Sequence, residues 1–167
     1  MAIILITGGA RSGKSTHAEA RARDFPGVPV YVATAEALDL EMRERIAKHR
    51  ARRGSAWLER ETPLELAAIL VETDGHGPRL VDCLTLWLSN LMHAERNWET
   101  EATLLVETLG RQKGPVILVT NEVGLGIVPD NALARRFRDA AGILNQMVAR
   151  VADQVEFVVA GLPMRVK

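Results

Sequence analysis

The feature that most constrains the fold is a glycine-rich segment near the start of the chain. Residues 8–15 read Gly-Gly-Ala-Arg-Ser-Gly-Lys-Ser, that is, a glycine, four residues and then Gly-Lys-Ser. An apolar run at residues 3–6 precedes the segment, and a stretch with helical spacing at 14–24 follows it. In this context consecutive backbone N–H groups can face a phosphate, and the helix N-terminus adds partial positive charge. The sequence therefore predicts a phosphate-binding loop, or P-loop.

Two side chains of the loop have chemistry of their own. Lys14 can reach the β and γ oxygens of a nucleoside triphosphate, and the Ser15 hydroxyl can coordinate Mg²⁺. A glycine-rich turn with a chance lysine is disfavoured, because strand and helix signals are both in place. We expect Lys14 to be catalytic, and we expect the whole loop to bind nucleotide: Gly8, Gly9, Ala10, Arg11, Ser12, Gly13, Lys14 and Ser15.

The rest of the chain alternates between short apolar runs and helical stretches. The predicted strands are residues 3–6, 28–33, 80–82, 116–120 and 155–159. The predicted helices are residues 14–24, 37–53, 63–72, 84–94, 99–112 and 131–151. Strands separated by helices suit a mostly parallel sheet covered on both faces. The expected fold is therefore α/β, a three-layer P-loop NTPase fold of the RecA-like kind, whose ligands bind at the carboxyl ends of the strands.

The chain end and the chain length add two expectations. Residues 157–167 contain Gly161-Leu162-Pro163 between two short apolar runs, which predicts a terminal antiparallel hairpin. The 167 residues fall in the size range of one domain, so residues 1–167 are expected to form a single nucleotide-binding domain.

Asp82 is the best candidate for the carboxylate that accompanies a P-loop. It closes the short run Arg79-Leu80-Val81-Asp82 at the end of a predicted strand. There it can hold Mg²⁺, or water bound to Mg²⁺, together with Ser15. The structural alternative is that Asp82 caps the helix predicted to begin at Leu84, since aspartate is a favoured cap residue.

A basic helix carries the most informative histidine. Met42, Ile46 and His49 share one face at 3.6 residues per turn, so His49 does not simply point at water. Arginines surround it at positions 45, 50, 52 and 53, and arginine suits bidentate recognition of phosphate. A neutral imidazole there could attack an α-phosphate. From spacing alone, a solvated basic face with an interfacial histidine remains open as the other interpretation.

Motifs along nearly the whole chain resemble one enzyme family. They are residues 4–15, Tyr31-Val32-Ala33-Thr34, Glu41-Met42, Arg45-Ile46, His49-Arg50, Trp57, Glu61, Asp82-Cys83-Leu84-Thr85, Trp87, Asn90-Leu91, residues 120–129 (Thr-Asn-Glu-Val-Gly-Leu-Gly-Ile-Val-Pro), Arg135, Phe137-Arg138-Asp139, Gly142 and Asn145-Gln146. Together they resemble the bifunctional adenosylcobinamide kinase/adenosylcobinamide-phosphate guanylyltransferase family of cobalamin biosynthesis.

The resemblance implies an enzyme with two reactions. A nucleoside triphosphate, ATP or GTP, phosphorylates adenosylcobinamide with the help of Mg²⁺. Adenosylcobinamide phosphate then receives GMP from GTP through a guanylylated histidine, which by motif position is His49. Some relatives carry a second histidine beside it, whereas this chain has Lys48, so a role for that neighbour does not transfer. His17, on the P-loop helix, is expected to be structural.

The resemblance also implies the surroundings of the guanine nucleotide. These are Ala33, Thr34, Ala35, Arg50, Ala51, Arg52, Arg53, Glu61 and Asp82. Glu61 could accept hydrogen bonds from the guanine N1 and N2 groups. A solvated surface glutamate is the structural alternative.

Two functions of other kinds remain as alternatives. One is a small-molecule kinase that never guanylylates His49, and the other is a nucleotide-driven switch or assembly protein. The run Asn121-Glu122-Val123-Gly124 lacks the Lys and Asp of the guanine-binding Asn-Lys-x-Asp motif, which disfavours a regulatory GTPase. The glycines at 124 and 126 suggest a loop at the rim of the active site, with a plain turn as the alternative.

Composition limits the partners and the compartment. Lys plus Arg and Asp plus Glu number 21 each, which makes nucleic acid a poor default partner. The single cysteine, Cys83, excludes an intramolecular disulfide and favours the cytoplasm. The N-terminal apolar run resembles neither a signal peptide nor a membrane span.

The resemblance implies a homotrimer, for which the sequence offers only a hint. Trp87, Leu91 and Trp98 look exposed, and Trp87 and Leu91 are spaced for a core stripe or an intersubunit stripe.

Overall fold

The computed structural model describes residues 2–36 and 40–167, except the side chains at positions 41, 42, 45, 49 and 52. The strands are β1 Ile3–Gly8, β2 Val30–Ala33, β3 Leu58–Glu61, β4 Arg79–Asp82, β5 Val116–Val119, β6 Gln154–Val159 and β7 Leu162–Arg165. The helices are α1 Lys14–Arg23, α2 Leu40–Arg53, α3 Leu66–Glu72, α4 Leu84–His93, α5 Trp98–Leu109 and α6 Ala132–Val151, and a short 3-10 turn spans Gly54–Ala56.

The described strands form one seven-stranded sheet in the order β3-β2-β4-β5-β1-β6-β7. Strands β1 to β6 run parallel, and β6 pairs with β7 in the antiparallel sense. Since parallel neighbours need crossover connections, helices separate the parallel strands along the chain. The predicted α/β class, the mostly parallel sheet and the terminal hairpin are confirmed.

Alternate residues of the strands feed two apolar cores, one on each face of the sheet. In β1, Ile3 and Leu5 join a large cluster with residues of α3, α4, α5 and α6. Ile4 and Ile6 join a smaller cluster with Ala18 of α1. Because side chains of a strand alternate between its two faces, two covered faces explain why these strands read as unbroken apolar runs. This is the three-layer arrangement that the sequence predicts.

Strand β3 is absent from the sequence prediction. Its four residues, Leu-Glu-Arg-Glu, are largely polar and carry none of the apolar signal of a buried strand. It nevertheless pairs with β2 from Val30↔Leu58 to Ala33↔Glu61 at the edge of the sheet. Backbone pairing and the partners of its charged side chains define this strand. Elsewhere the elements are confirmed with shifted ends, and predicted helix positions 37–39 lie outside the described residues.

The side chains of Trp87 and Leu91 on α4 belong to the core. Trp87 and Leu91 are fully buried, and the Trp87 Nε1–H donates to the Leu64 carbonyl oxygen at 2.8 Å. Trp98 is partly buried against the same cluster. The core interpretation of the pair is therefore correct, and neither side chain is available to another subunit.

Within the described residues, no helix combines the length and the apolar character that crossing a membrane requires.

Candidate active site

The predicted phosphate cradle lies at the carboxyl end of β1, near the middle of the sheet. The strand ends at Gly8, and helix α1 begins at Lys14. The Lys14 ammonium group is largely buried and donates to the Gly9 carbonyl oxygen at 3.1 Å. The Glu122 N–H donates to the Gly8 carbonyl oxygen at 3.1 Å, which ties the loop after β5 to the cradle. The sequence-predicted loop thus has the strand-to-helix geometry of a phosphate site.

Two glycines of the cradle are required by their geometry. Gly13 has a φ of 94°, and a Cβ there would come within 3.1 Å of the Gly161 Cα atom. A Cβ at Gly8 would lie 2.6 Å from the Val158 carbonyl oxygen. Any larger residue at either position would push the loop out of shape.

The turn of the C-terminal hairpin forms a hydrogen bond with the P-loop. The Gly161 N–H donates to the Ser12 carbonyl oxygen at 2.8 Å. Because this turn joins β6 to β7, the last strands of the chain hold a loop formed near its beginning.

Asp82 ends β4 on the same edge of the sheet. It pairs in register with Ala33 of β2 and with Val119 of β5. Helix α4 begins at Leu84 with Cys83 as its cap, without a side-chain capping hydrogen bond, so the alternative of Asp82 as helix cap is not observed. The Tyr31 hydroxyl instead donates to Asp82 Oδ2 at 3.1 Å.

An arginine of α2 lies on the other side of that tyrosine. The Arg53 guanidinium carbon is 3.4 Å from the centre of the Tyr31 ring, a cation–π contact. Arg53 Nη2 donates to Glu59 Oε1 at 2.7 Å, and Arg50 Nε donates to Glu59 Oε2 at 2.7 Å. Strand β3 thereby holds the C-terminal end of α2 beside the carboxyl ends of β2 and β4.

These contacts shift the ionisation of the groups involved. Burial alone would raise the pKa of Glu59, but the hydrogen bonds and positive charges of Arg50 and Arg53 outweigh it and lower that pKa. Burial and the nearby Asp82 carboxylate raise the pKa of the Cys83 thiol to about 11, which keeps the thiol uncharged at neutral pH.

One cavity of about 870 Å³ joins the cradle to α2. Its wall includes these predicted site residues: Lys14, Ser15, Ala33, Ala35, Arg50, Ala51, Arg53, Glu61 and Asp82. Arg43, Ile46 and Ala47 also line it, so one face of α2 borders the space. The structure thus brings the phosphate cradle, the carboxylate of β4 and the basic helix to a single hollow.

Other predicted residues lie outside that wall or outside the described residues. Thr34 is fully buried, and its Oγ1 donates to the Cys83 carbonyl oxygen at 2.7 Å and accepts from the Cys83 N–H at 2.8 Å. Its hydroxyl therefore joins the ends of β2 and β4. Position 49 lies on α2 one turn after Ile46 and one turn before Arg53. The side chains of His49 and Arg52 are outside the described residues.

Glu61 lies at the rim of the cavity, where it is exposed and 3.4 Å from Arg50 Nη2. This position leaves its carboxylate accessible to a ligand as well as to water. Asn121 also lines the cavity, and its N–H donates to Thr85 Oγ1 at 2.7 Å. The segment after β5 therefore borders the site at Asn121, and the interpretation of Gly124 and Gly126 as part of its rim stays a prediction.

His17 is paired within the fold, as expected for a structural residue. Its Nε2 atom is 2.6 Å from Glu156 Oε2, so α1 is fastened to β6 away from the residues that line the cavity.

Sequence reasoning missed Tyr31 and Glu59 as parts of the site. Both line the cavity, and both hold charged residues that were predicted. Tyr31 is the single tyrosine of the chain, and it occupies a strand position where an apolar residue would serve the core equally well. Glu59 belongs to the strand that the apolar pattern did not reveal.

The residues of the cavity fit a magnesium ion that arrives with a nucleotide. Ser15 and Asp82 both line the hollow and offer hard oxygen atoms, and Mg²⁺ commonly takes one or two protein ligands, with phosphate and water oxygens completing its shell. Among the described residues there is no group of three or more His, Cys, Asp or Glu side chains that could hold a metal by themselves. The donor set is thus one for a metal bound together with phosphate.

Sequence comparison finds one family and several relatives. Residues 4–166 match the family described as cobinamide kinase / cobinamide phosphate guanyltransferase. The chain is 50% identical over 166 residues to the bifunctional adenosylcobalamin biosynthesis protein CobP of Pseudomonas aeruginosa, covering 98% of this chain and 96% of that protein. It is 41% identical to the bifunctional adenosylcobalamin biosynthesis protein CobU of Salmonella typhimurium, with 99% of both chains covered.

Solved structures with a similar fold are distant in sequence. The flagellar accessory protein FlaH of Methanocaldococcus jannaschii matches with a TM-score of 0.54 at 15% identity, covering 99% of this chain and 78% of that one. The VirB11 ATPase of Brucella suis matches with a TM-score of 0.51 at 16% identity, covering 99% and 47%. These similarities confirm the predicted P-loop NTPase fold.

Proposed function

The chain belongs to the cobinamide kinase / cobinamide phosphate guanyltransferase family, and we propose that both reactions take place around the cavity between the P-loop and helix α2. The chain is accordingly a bifunctional enzyme of cobalamin biosynthesis. The observation that carries the proposal is the shared wall: Lys14 and Ser15 lie on one side of the hollow, and Arg50 and Arg53 lie on the other.

In the first reaction a hydroxyl oxygen of adenosylcobinamide attacks the γ-phosphorus of ATP or GTP. A new P–O bond forms, the bond from the γ-phosphorus to the β–γ bridging oxygen breaks, and the nucleoside diphosphate leaves. Lys14 and the N–H groups of the P-loop hold the phosphates in line and offset their charge. Ser15 and Asp82 would hold Mg²⁺, which neutralises charge on the leaving phosphates. The hydroxyl proton is released to solvent.

In the second reaction we assign the nucleophile to His49. An imidazole nitrogen attacks the α-phosphorus of GTP, the bond to the α–β bridging oxygen breaks, and pyrophosphate leaves towards the cradle. A phosphate oxygen of adenosylcobinamide phosphate then attacks the same phosphorus, the P–N bond breaks, and the histidine is regenerated. Arg50 and Arg53 supply positive charge beside the transferred group. Ala33, Ala35, Ala51, Arg52 and Glu61 are assigned to the nucleotide, with Glu61 accepting from the guanine edge.

Labelling with GTP that is radioactive at the α-phosphate tests the nucleophile. We expect an adduct that is labile in acid and stable in base, and that is lost in His49→Ala. His93→Ala is the matched control, because His93 is an exposed residue at the end of α4 and should leave the adduct unchanged. An adduct that persists in His49→Ala would remove His49 from the mechanism. Phosphorylation of adenosylcobinamide without any adduct would leave only the kinase.

Lys14→Ala tests the cradle. We expect phosphorylation of adenosylcobinamide to fall by about 100-fold or more, because a preorganised charge at the transferring phosphates is lost. The far-ultraviolet circular dichroism spectrum should stay unchanged, since the loop glycines and the hairpin contact remain. Full kinase turnover in this variant would refute the assignment of the cradle.

For the assembly we propose a homotrimer. The described surface exposes apolar side chains on the loop after β5, with Leu125 81% and Ile127 97% exposed, and on the edge hairpin at Leu162 and Met164. Patches of this kind mark association surfaces. Light scattering coupled to gel filtration should give three times the mass of the 18.3 kDa chain. A monomer at micromolar concentration would contradict the proposal.

For the compartment we propose the cytoplasm. The support is the buried free thiol of Cys83, which suits a reducing environment. Fractionation of cells that produce the protein should recover it with cytosolic markers. Recovery in the periplasmic fraction would contradict this assignment.

A further inference from the structure

Tyr31 connects two parts of the cavity that belong to different elements of the fold. It lies on β2, which pairs with β3 on one side and with β4 on the other. The residue is buried but lines the cavity, and its hydroxyl donates to Asp82 Oδ2. Arg53 of α2 covers its ring face at 3.4 Å. The hydroxyl of Tyr31 therefore contacts Asp82, the carboxylate proposed to bind the metal, and its ring contacts Arg53 of helix α2.

The arginine on that ring is held in place and still has donors to offer. Nη2 binds Glu59, whereas Nε and Nη1 are buried without a hydrogen-bond partner among the described residues. Buried donors of a charged group rarely stay unpaired, so an unfilled guanidinium at a cavity wall suits an anionic ligand. The ring of Tyr31 and the carboxylate of Glu59 fix the direction in which these donors lie.

We propose that Tyr31 is a positioning residue that holds the Asp82 carboxylate for Mg²⁺ and holds Arg53 for the phosphates of the nucleotide. The proposal rests on the proposed function, because it assigns Asp82 to the metal and Arg53 to the nucleotide. Tyr31 makes no bond to a reacting atom and acts through these two residues. Hydrogen-bonded partners of metal-binding carboxylates orient them and influence metal affinity.

The geometry separates this role from core packing. Trp57 also packs in this region, edge-on to Tyr31 with ring centres 6.2 Å apart, so the apolar surroundings require only an aromatic ring. A phenylalanine would satisfy them. Among the described residues, the hydroxyl donates one hydrogen bond, to Asp82 Oδ2. The hydroxyl at position 31 therefore contributes the contact with Asp82, which core packing does not require.

The hydroxyl is tested with Tyr31→Phe and a metal-binding readout. Binding of Mn²⁺ to the enzyme with a non-hydrolysable GTP analogue is followed by electron paramagnetic resonance. We expect Mn²⁺ to bind about tenfold more weakly in the variant, as is usual when a partner of a metal-binding carboxylate is removed. Binding of the analogue without metal should stay unchanged. The Mg²⁺ concentration for half-maximal kinase activity should rise by a similar factor, with recovery of turnover at high Mg²⁺.

Trp57→Phe is the matched control for this test. It alters the same aromatic cluster, and the indole N–H has no partner among the described residues to lose. Metal affinity should match that of the unaltered enzyme. Equal metal affinity in Tyr31→Phe and the unaltered enzyme would overturn the role of the hydroxyl, and an equal loss in both variants would reduce Tyr31 to packing.

The ring is tested by combining Tyr31→Leu with Arg53→Gln. If the ring acts by holding Arg53, each substitution should slow formation of the GMP adduct, and the double variant should be no slower than Arg53→Gln alone. Multiplying effects would overturn the link between the two residues. Should Tyr31→Leu fail to fold, Tyr31→Phe still decides the role of the hydroxyl, because it retains the ring and its packing. Absence of an adduct in the unaltered enzyme would refute the proposed function while the Mn²⁺ measurement still reports on Tyr31.

Discussion

Two arginine–carboxylate clusters lie at opposite ends of the same sheet, and β4 contributes to both. At its amino end, Arg79 is fully buried and donates through Nη1 to Asp74 and through Nη2 to Gln112 and Gly114. At its carboxyl end, Asp82 meets the cluster of Tyr31, Arg53, Glu59 and Arg50 described above. Both clusters combine a buried arginine with a carboxylate, so neither burial nor pairing separates them.

The two clusters differ in whether their arginine lies at the cavity. Both terminal nitrogens of Arg79 end on protein oxygens, its Nε is buried without a partner among the described residues, and Arg79 does not line the cavity. Arg53 ends on protein at Nη2, its Nε and Nη1 have no partner among the described residues, and the residue lines the cavity. A cluster away from the cavity can only stabilise the fold, whereas a cluster with spare donors at the cavity can also bind an anion. The expected results of substitution therefore differ in kind at the two ends.

Arg79→Met should have the largest effect, and it should be on stability alone. The substitution removes a buried cation and leaves Gln112 and Gly114 with unpaired oxygens, which costs about 3–5 kcal/mol in the free energy of unfolding. Urea denaturation measures the change. Turnover per folded molecule should stay as it is, because no residue of this cluster lines the cavity. A fall in turnover with unchanged stability would contradict the purely structural role of Arg79.

Arg53→Gln should show the opposite pattern. Formation of the GMP adduct should fall by about tenfold to 100-fold, the range for losing a charged contact to a transferring phosphate. The free energy of unfolding should change by only about 1 kcal/mol, since Glu59 keeps Arg50 as its partner and the stacking contact on Tyr31 is the main loss. The two measurements are a single-turnover assay and a urea titration. A destabilisation as large as that of Arg79→Met would mark Arg53 as structural.

Acid should remove the contribution of the Asp74 carboxylate at the amino end. Burial alone would raise its pKa, but the N–H groups of Gly114 and Lys113 and the charge of Arg79 outweigh burial and lower it. With a folded pKa below the unfolded value of about 3.9, the stabilisation is complete above that value and is lost as the pH falls through the folded pKa. The stability difference between Asp74→Asn and the unaltered protein should therefore shrink by about 1–2 kcal/mol between neutral pH and strongly acidic pH.

Calorimetry at several pH values measures this difference. Glu59→Gln is the comparison at the carboxyl end, where the pKa of Glu59 is also lowered and its contribution is lost in the same direction. Its pH-dependent difference should be smaller, because Glu59 is more exposed than Asp74 and one of its two partners, Arg50, is exposed. A difference that stays constant with pH in Asp74→Asn would contradict the ionic character of that cluster.

The sequence could predict the cradle because each part of it has a local signature. Gly8, Gly13, Lys14 and Ser15 are fixed by the geometry of a strand, a tight loop and a helix N-terminus, all within a few residues. The alternation that places Ile3 and Ile4 on opposite faces of the sheet is equally local. The sheet and both of its covered faces could therefore be predicted without any knowledge of long-range contacts.

The partners of the arginines could not be predicted, because each contact joins two different elements of the fold and follows no spacing within one helix or strand. Glu59 contacts Arg53, six positions earlier, from strand β3, and this strand is too polar to give an apolar signal. Tyr31 meets Asp82 because two strands that are 51 positions apart lie side by side in the sheet. Residue patterns indicate which groups carry charge, and the sheet order decides which of them meet.

Arg50→Gln should have the smallest effect on stability. Arg50 contacts both Glu59 and Glu61, but its side chain is 57% exposed, so solvent screens both ion pairs. We expect a loss of less than about 0.5 kcal/mol, and high salt should abolish it. Urea titrations at low and high ionic strength measure both quantities. A loss above about 2 kcal/mol that salt does not reduce would mean that the carboxyl-end cluster is a structural network like that of Arg79. The unpaired donors of Arg53 would then have no significance for nucleotide binding.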